Sequence, residues 1–119
     1  MPVDAIPAAT VVLLRPVAGG AEPGVECLML RKNRGQSFGG MWVFPGGRVE
    51  PGDERPDGPD AGECDDARRA AIRETAEETG LALDAAELVP FAHWTPPPEA
   101  PKRYSTWFFV AALPEGLDD

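Results

Sequence analysis

The stretch that decides the fold is DDARRAAIRETAEET at residues 65–79, with Gly80 directly after it. This stretch predicts the one long helix of the chain. The acidic residues at its start are suited to a helix cap, and a glycine at its end is typical of a helix terminus. One face is weakly apolar and is expected to rest on a sheet; its residues are Ile72, Thr75, Ala76 and Thr79.

The opposite face carries three acidic side chains at positions i, i+3 and i+4, which are Glu74, Glu77 and Glu78. Their Cβ atoms are about 5–6 Å apart, so the carboxylates repel one another. A divalent cation such as Mg²⁺ or Mn²⁺ prefers carboxylate oxygens and reverses that repulsion. Ala70 and Ala71 are expected to continue this stripe and to leave room beside it. The alternative is a solvated acidic face in which Arg73 pairs with Glu77 at i+4.

Five other stretches are predicted to be strands, at residues 9–14, 25–30, 41–44, 88–94 and 104–113. The first is apolar and β-branched, and the second is expected to be its hairpin partner. The last has enough aromatic side chains to be expected in the centre of the sheet. Strands before and after one helix predict an α/β chain with a mixed sheet and a helix packed on it.

Two segments before the helix are expected to lack regular structure. Phe44-Pro45-Gly46-Gly47 is predicted to be a glycine-rich turn, whose backbone can approach a phosphate or a metal because glycine has no Cβ. Residues 51–63 are rich in proline, glycine and aspartate, so we expect an exposed loop that contributes little to the core.

The 119 residues are expected to form one small domain, and their net charge of −9 excludes several classes of protein. Binding to a nucleic-acid backbone or to a membrane surface requires clustered cations. No apolar run reaches the roughly 20 residues of a transmembrane helix, and no secretory signal is visible. Cys27 and Cys64 make neither a disulfide framework nor a zinc site, so we expect a reduced, cytoplasmic protein.

Two motifs together resemble the box of the Nudix hydrolases. Gly47-x5-Asp53, followed by Arg73-Glu74-x-x-Glu77-Glu78-x-Gly80-Leu81, is similar to Gly-x5-Glu-x7-Arg-Glu-U-x-Glu-Glu-x-Gly-U, where U is aliphatic. The resemblance extends upstream to the Phe44–Gly47 turn and covers residues 10–113. It implies a Nudix-type α/β/α sandwich with a mixed sheet, and hydrolysis of a diphosphate linkage that depends on Mg²⁺ or Mn²⁺.

The resemblance also implies roles for individual residues. The implied metal ligands are Glu74, Glu77, Glu78 and the carbonyl of Gly47. The implied catalytic residues are Glu77, Glu74 and Arg73, where Arg73 orients the glutamates by a salt bridge. The bound cations would neutralise phosphate charge and activate a water molecule.

The chain departs from the box at three points. Asp53 stands where the box has glutamate, and Thr75 replaces an aliphatic residue. Residues 54–72 separate Asp53 from Arg73, which is nineteen residues where the box has seven, so twelve are inserted. Family domains usually continue into a further strand and a final helix, so we expect the final helix to be missing and the chain to be part of a longer one. An uncovered sheet face would then favour a homodimer.

The predicted substrate-binding residues are Arg31, Arg34, Phe44, Gly46, Gly47, Arg103 and Tyr104. Arg31, Gly40 and the Phe-Pro-Gly-Gly turn partly match the signature of coenzyme A diphosphatases, and the segments around His93 and Arg103 are also similar to that branch. A base could stack on Trp94 or Tyr104, whereas Trp107 and Phe109 are expected in the core. His93, the only histidine, is either a catalytic base or a structural residue.

Two functions of different classes remain open. The first is a metal-dependent hydrolase of a nucleoside diphosphate derivative, with coenzyme A or acyl-CoA as candidate substrates. The second is a Nudix-like module that binds a nucleotide metabolite without turning it over, which the substitution at Asp53 would favour. Hydrolysis of a panel of such compounds with Mg²⁺ or Mn²⁺ distinguishes the two.

Overall fold

The structure is a computed structural model that describes residues 5–17, 24–31, 40–55, 62–97 and 103–114. The strands in these ranges are β1 (Ile6–Val17), β2 (Gly24–Cys27), β3 (Leu30–Arg31), β4 (Trp42–Val43), β5 (Gly46–Arg48), β6 (Val89–Trp94) and β7 (Tyr104–Ala112), and the α-helix is α1 (Glu63–Thr79). Short 3₁₀ turns lie at Pro51–Asp53 and Ala85–Glu87. Each predicted strand is found, and the stretch 25–30 is divided between β2 and β3.

The sheet is built around β1. This strand pairs in parallel with β7, from Ile6 opposite Tyr104 to Leu14 opposite Ala112. Its other edge holds two antiparallel strands, β2 beside residues 14–17 and β5 beside residues 8–10. Strand β6 pairs antiparallel with the outer edge of β7. The mixed sheet is therefore confirmed, and β7 lies in its interior, as its aromatic content predicts.

Helix α1 packs on one face of this sheet through small side chains. The completely buried residues between helix and sheet include Val11, Leu13, Ala70, Ala71, Thr75 and Phe109. The prediction that Ala70 and Ala71 leave room beside the glutamates is therefore wrong, because the sheet fills that space. Alanine can be buried without losing hydrogen bonds and lets a helix approach a sheet closely, so these positions form the packed face. Ala76, which was expected to pack, is exposed.

The two ends of α1 compare differently with the prediction. Gly80 ends the helix in the left-handed conformation, with φ of 79°, as predicted. The helix begins two residues earlier than expected, and its N-cap is Gly62, with no side-chain cap hydrogen bond. The acidic residues of the first turn do not cap the helix, because Asp65 pairs with Arg68 and Asp66 pairs with Arg69.

The segment predicted to be a glycine-rich turn is partly a strand. Gly46 and Gly47 begin β5 and lie opposite Thr10 and Ala9 of β1. At Gly46, where φ is 151°, a Cβ would lie 2.1 Å from the carbonyl oxygen of Ala9. Glycine is required here because the two backbones approach more closely than any side chain would allow.

The opposite face of the sheet is exposed along β6. Val89 and Phe91 each keep 56% of their surface exposed, and Trp94 keeps 60%. Within the described residues α1 is the single α-helix, and it covers the other face. None of the described helical segments has the length and apolar character needed to cross a membrane. Both cysteines, Cys27 and Cys64, are free.

Candidate active site

Arg73 lies at the centre of a network of ion pairs beside β5. Its Nε and Nη2 atoms donate to the Asp53 carboxylate at 3.0 and 2.9 Å, and Nη2 also donates to the Arg48 carbonyl at 3.1 Å. Its Nη1 atom donates to Glu74 at 2.5 Å and to Glu77 at 3.3 Å. One guanidinium therefore joins the helix to β5 and to the turn after β5, and the i+4 pair with Glu77 is one part of this network.

Asp53, whose role the sequence left open, is only 5% exposed. Its carboxylate also accepts the Glu50 N–H at 2.9 Å. Burial alone would raise the pKa of Asp53, but the hydrogen bonds from Arg73 and Glu50 and the charges of Arg73 and Arg69 lower it below its ordinary value. The hydrogen bond to Asp53 is in turn the main cause of a raised Arg73 pKa. Both groups are therefore charged at neutral pH.

The expectation that residues 51–63 form an exposed loop is wrong at Asp53, which is buried, and at Glu63, which is helical; the other described residues of this segment are exposed. Asp53 is buried in a 3₁₀ turn because its charge is paired with α1, and its carbonyl accepts the Arg69 Nε–H at 2.6 Å. The Arg55 N–H donates to Asp66 at 3.1 Å, and α1 already begins at Glu63. Residues 56–61 lie outside the described part of the chain.

The two glycines of β5 bring its backbone against the glutamates of α1. The Gly46 N–H donates to Glu78 Oε1 at 3.0 Å. A Cβ on Gly47 would lie 2.5 Å from Glu74 Oε2, so this carboxylate rests directly on the glycine. Glu74 and Glu78 thus both contact β5, whereas the Glu77 side chain lies beside Arg73 and is 59% exposed.

The chemistry of these residues suits a divalent cation. Carboxylate and carbonyl oxygens are the donors that Mg²⁺ and Mn²⁺ prefer, and Gly47 leaves the space beside Glu74 in which a side chain would stand. In the described part of the chain, no three His, Cys, Asp or Glu side chains already converge on one point. Arg73 holds Glu74 and Glu77, so these side chains must turn before all three glutamates can bind one ion.

A cavity of about 240 Å³ adjoins the glutamates and contains several predicted substrate-binding residues. Its lining includes Phe44, Gly46, Gly47, Glu78 and Tyr104. The lining also includes Ala8 and Thr106, which alternate along β1 and β7 with helix-facing residues and so project from the face of the sheet away from α1, whereas Glu78 belongs to α1 itself. An aromatic side chain and a carboxylate of α1 therefore line the same cavity, although they are far apart in the sequence.

The predicted basic residues lie elsewhere. Arg31 is exposed on β3, directly opposite Trp42 of β4, and it does not line the cavity. Arg103 donates to the Pro96 carbonyl at 3.3 Å and is also absent from the lining. Arg34 falls outside the described residues. The structure therefore groups the glycines and aromatic residues of the prediction with Glu78, but not its cations.

His93 is held at the other end of α1. Its Nε2 atom lies 2.6 Å from Ser105 Oγ and 3.7 Å from Glu63 Oε1, and its ring stacks on Trp107 at 4.2 Å between centroids. Glu63 opens the helix, so it lies about 16 Å along the axis from Glu74. This position favours the structural interpretation of His93. Phe109 is in the core, as predicted, and Trp107 packs against it.

Solved structures with the same fold were found. A NUDIX hydrolase from Alicyclobacillus acidocaldarius has a TM-score of 0.70 and 25% identity, over 94% of this chain and 71% of that chain. A MutT/nudix family protein from Enterococcus faecalis has a TM-score of 0.68 and 20% identity, over 95% and 38%; this likeness shows the fold alone. The C. elegans Ap4A hydrolase has a TM-score of 0.58 and 26% identity, over 92% and 69%.

The present chain thus spans well under half the length of the Enterococcus protein. No curated protein matches it significantly. The NUDIX domain matches residues 5–119, which is nearly the whole chain. Proteins with this domain are generally pyrophosphohydrolases of small-molecule diphosphates, and they generally use divalent metals such as Mg²⁺ or Mn²⁺. The chain belongs to the NUDIX hydrolase family.

Proposed function

We propose that this chain hydrolyses the diphosphate linkage of a nucleoside diphosphate derivative, with Mg²⁺ or Mn²⁺ as cofactor. The proposal rests on one observation above all. Glu74 and Glu78 meet the glycine strand β5 beside a cavity that Tyr104 also lines. The substrate is a small molecule and not a nucleic acid or a membrane, because a chain with a net charge of −9 repels extended phosphate surfaces.

In this proposal Glu74, Glu77 and Glu78 hold the cation together with the Gly47 carbonyl. A cation held by these residues would supply neutralisation of phosphate charge and a lowered pKa of a water molecule for attack at phosphorus. Arg73 is a positioning residue: it orients Glu74 and Glu77, and Asp53 fixes its guanidinium. This arrangement explains why a chain with an inserted segment keeps a buried acidic partner for that arginine.

The substrate is proposed to enter the cavity beside Glu78. Phe44 and Tyr104 provide apolar surface there, and the Gly46–Gly47 backbone allows a phosphate to approach the strand closely. A substrate seated in this way places its diphosphate next to the carboxylates of α1.

Turnover with matched variants tests the proposal. Cleavage of coenzyme A, dephospho-coenzyme A, NADH, ADP-ribose and nucleoside triphosphates is measured with Mg²⁺ or Mn²⁺ as the phosphomonoester or pyrophosphate products, separated by chromatography. We expect Glu77→Gln and Glu78→Gln to lose at least about 100-fold in kcat, equivalent to roughly 2.7 kcal/mol, while the fold is retained. Glu87→Gln, on the exposed 3₁₀ turn after α1, is the matched control. Unchanged hydrolysis in both glutamine variants would refute the site.

Coenzyme A or an acyl-CoA is the substrate that we propose within this class. Arg31 lies on the part of the sequence that resembles coenzyme A diphosphatases, so Arg31→Ala is expected to raise KM for coenzyme A more than Arg34→Ala does. If ADP-ribose or a nucleoside triphosphate is preferred by more than about tenfold in kcat/KM, the coenzyme A proposal fails and the general one remains.

The second candidate is a module that binds a nucleotide metabolite without hydrolysis. It is favoured by the pairing of Glu74 and Glu77 with Arg73, which occupies two of the three carboxylates. Binding of a nucleotide measured by calorimetry, together with no cleavage of any compound of the panel, would select this function.

A further inference from the structure

Four residues from four neighbouring strands form one row across the face of the sheet away from α1. Arg48 of β5 stands opposite Ala8 of β1. Ala8 stands beside Thr106 of β7, and Thr106 stands opposite Trp94 of β6. Directly paired residues of neighbouring strands project to the same face, so the four side chains follow one another across the sheet.

The orientation of the row follows from the residues next to its two ends. Gly47, which precedes Arg48, lies under a glutamate of α1. His93, which precedes Trp94, contacts the glutamate that opens α1. Successive residues of a strand point to opposite faces, so Arg48 and Trp94 point away from the helix.

The two end residues of the row differ in chemistry, and the two middle residues have small side chains. Arg48 is exposed at one end, and Trp94 keeps 60% of its surface exposed at the other. Three strand spacings of about 4.8 Å separate them, or roughly 14 Å in all. Ala8 and Thr106 belong to the floor of the cavity that Glu78 also lines. A ligand lying on this floor can therefore reach a cation, an aromatic ring and the carboxylates of α1.

We propose that Trp94 and Arg48 are specificity-determining residues for the proposed substrate: its base stacks on Trp94 while a phosphate of the same molecule binds Arg48. Stacking on an exposed aromatic side chain holds any base by its π-face. A guanidinium matches phosphate geometry with two parallel hydrogen bonds, and a chain with nine excess negative charges needs a local cation to admit a phosphate. This inference rests on the proposed function, because it names two residues that bind the substrate of the same site.

Calorimetric titration of the whole chain tests the inference with two probes, ADP and inorganic pyrophosphate, each with Mg²⁺. Trp94→Ala should weaken ADP binding by at least about fivefold, the lower end of a base-stacking contribution, and should leave pyrophosphate binding unchanged. Trp94→Phe should restore most of the affinity for ADP. Arg48→Gln should weaken the binding of both probes by similar factors.

Two variants are matched controls. Trp42 on β4 is also 60% exposed, and Arg15 lies near the opposite end of β1 from the row. Trp42→Ala and Arg15→Gln are expected to change the affinity for neither probe. The inference is overturned if the wild-type chain does not bind ADP, if Trp42→Ala and Trp94→Ala have equal effects, or if Trp94→Ala weakens pyrophosphate binding as strongly as ADP binding.

The inference and the proposed function fail in different ways. Binding of ADP that depends on Trp94, without cleavage of any compound of the panel, would refute hydrolysis and support the roles of Trp94 and Arg48. If the chain hydrolyses a substrate and neither Trp94→Ala nor Arg48→Gln changes the KM, the proposed function is supported and the roles of Trp94 and Arg48 are refuted. A Trp94→Ala variant that converts a dimer into a monomer in sedimentation, with unchanged ADP affinity, would assign Trp94 to an interface between copies of the chain and refute the inference.

Discussion

Asp53→Asn is the substitution from which we expect the clearest loss of stability. Asparagine keeps the shape of the side chain but removes the charge that faces Arg73, whose Nε and Nη2 atoms lie 3.0 and 2.9 Å from the carboxylate. Breaking a buried ion pair by removing one partner costs about 3–5 kcal/mol. The Arg73 side chain is 25% exposed and keeps its contacts with Glu74 and Glu77, so we expect a smaller loss, about 2 kcal/mol.

The same pair gives the effect a defined dependence on pH. The pKa of Asp53 in the folded chain lies below its usual 3.8. A carboxylate with a lowered pKa stabilises the fold above the pKa of the unfolded chain, and this contribution disappears as the pH falls through the folded value. The difference in unfolding free energy between wild type and Asp53→Asn should therefore be constant above about pH 5 and should shrink below the usual Asp value.

Thermal and urea unfolding followed by circular dichroism measure both effects. A loss of about 2 kcal/mol lowers the Tm of a domain of this size by roughly 6–10 °C. Asp65→Asn is the matched control, because Asp65 pairs with Arg68 at the surface with 32% of its side chain exposed, and such a pair contributes less than about 1 kcal/mol. A Tm for Asp53→Asn equal to that of Asp65→Asn would refute the reasoning.

Three further substitutions test the packing around the site. Thr75→Val should raise the free energy of unfolding by about 1–2 kcal/mol, because Thr75 Oγ1 is buried without a hydrogen-bond partner; a lower urea midpoint would contradict this. Gly46→Ala should prevent folding, since the new Cβ meets the β1 backbone, whereas Gly47→Ala should fold and only displace the flexible Glu74 carboxylate. Equal circular dichroism spectra and equal Tm values for the two variants would contradict the difference. Replacing residues 56–61 by a Gly-Ser link of similar length should change the unfolding free energy by less than about 0.6 kcal/mol, and a larger loss in thermal unfolding would show that this segment packs.

Elements with a local signal were predictable from the sequence. The helix over residues 65–79 and the strands at 9–14, 88–94 and 104–113 depend on side chains that are close together in the sequence. Strand β5 was not predictable in this way, because glycine favours turns and its pairing with β1 depends on a distant backbone. The sequence indicated that Gly46 and Gly47 allow a close approach, but not which backbone would approach them.

The candidate site was predictable in its residue types and less so in its contacts. Periodicity shows which residues share a face of α1 but not how far along that face the sheet extends, and this is why Ala70 and Ala71 were expected to leave open space and not to pack on the sheet. Nineteen residues separate Asp53 from Arg73 in the sequence, so their contact became visible only in the three-dimensional structure. The Asp53 position within the box was the one signal in the sequence that pointed to an acidic partner for this arginine.

The parallel pairing of β1 with β7 also governs how the chain folds during synthesis. Ile6 and Tyr104 stand opposite each other although they are roughly 100 residues apart, and contacts of such long range slow folding into the range of milliseconds to seconds. At 5–20 residues per second, a ribosome needs about 5–20 s to proceed from β1 to β7. During that time the edge of β1 that later meets β7 has no partner, and the apolar side chains of Val11 and Leu13 lack the strand that completes their burial. Folding of the sheet can be completed only when β7 has been made.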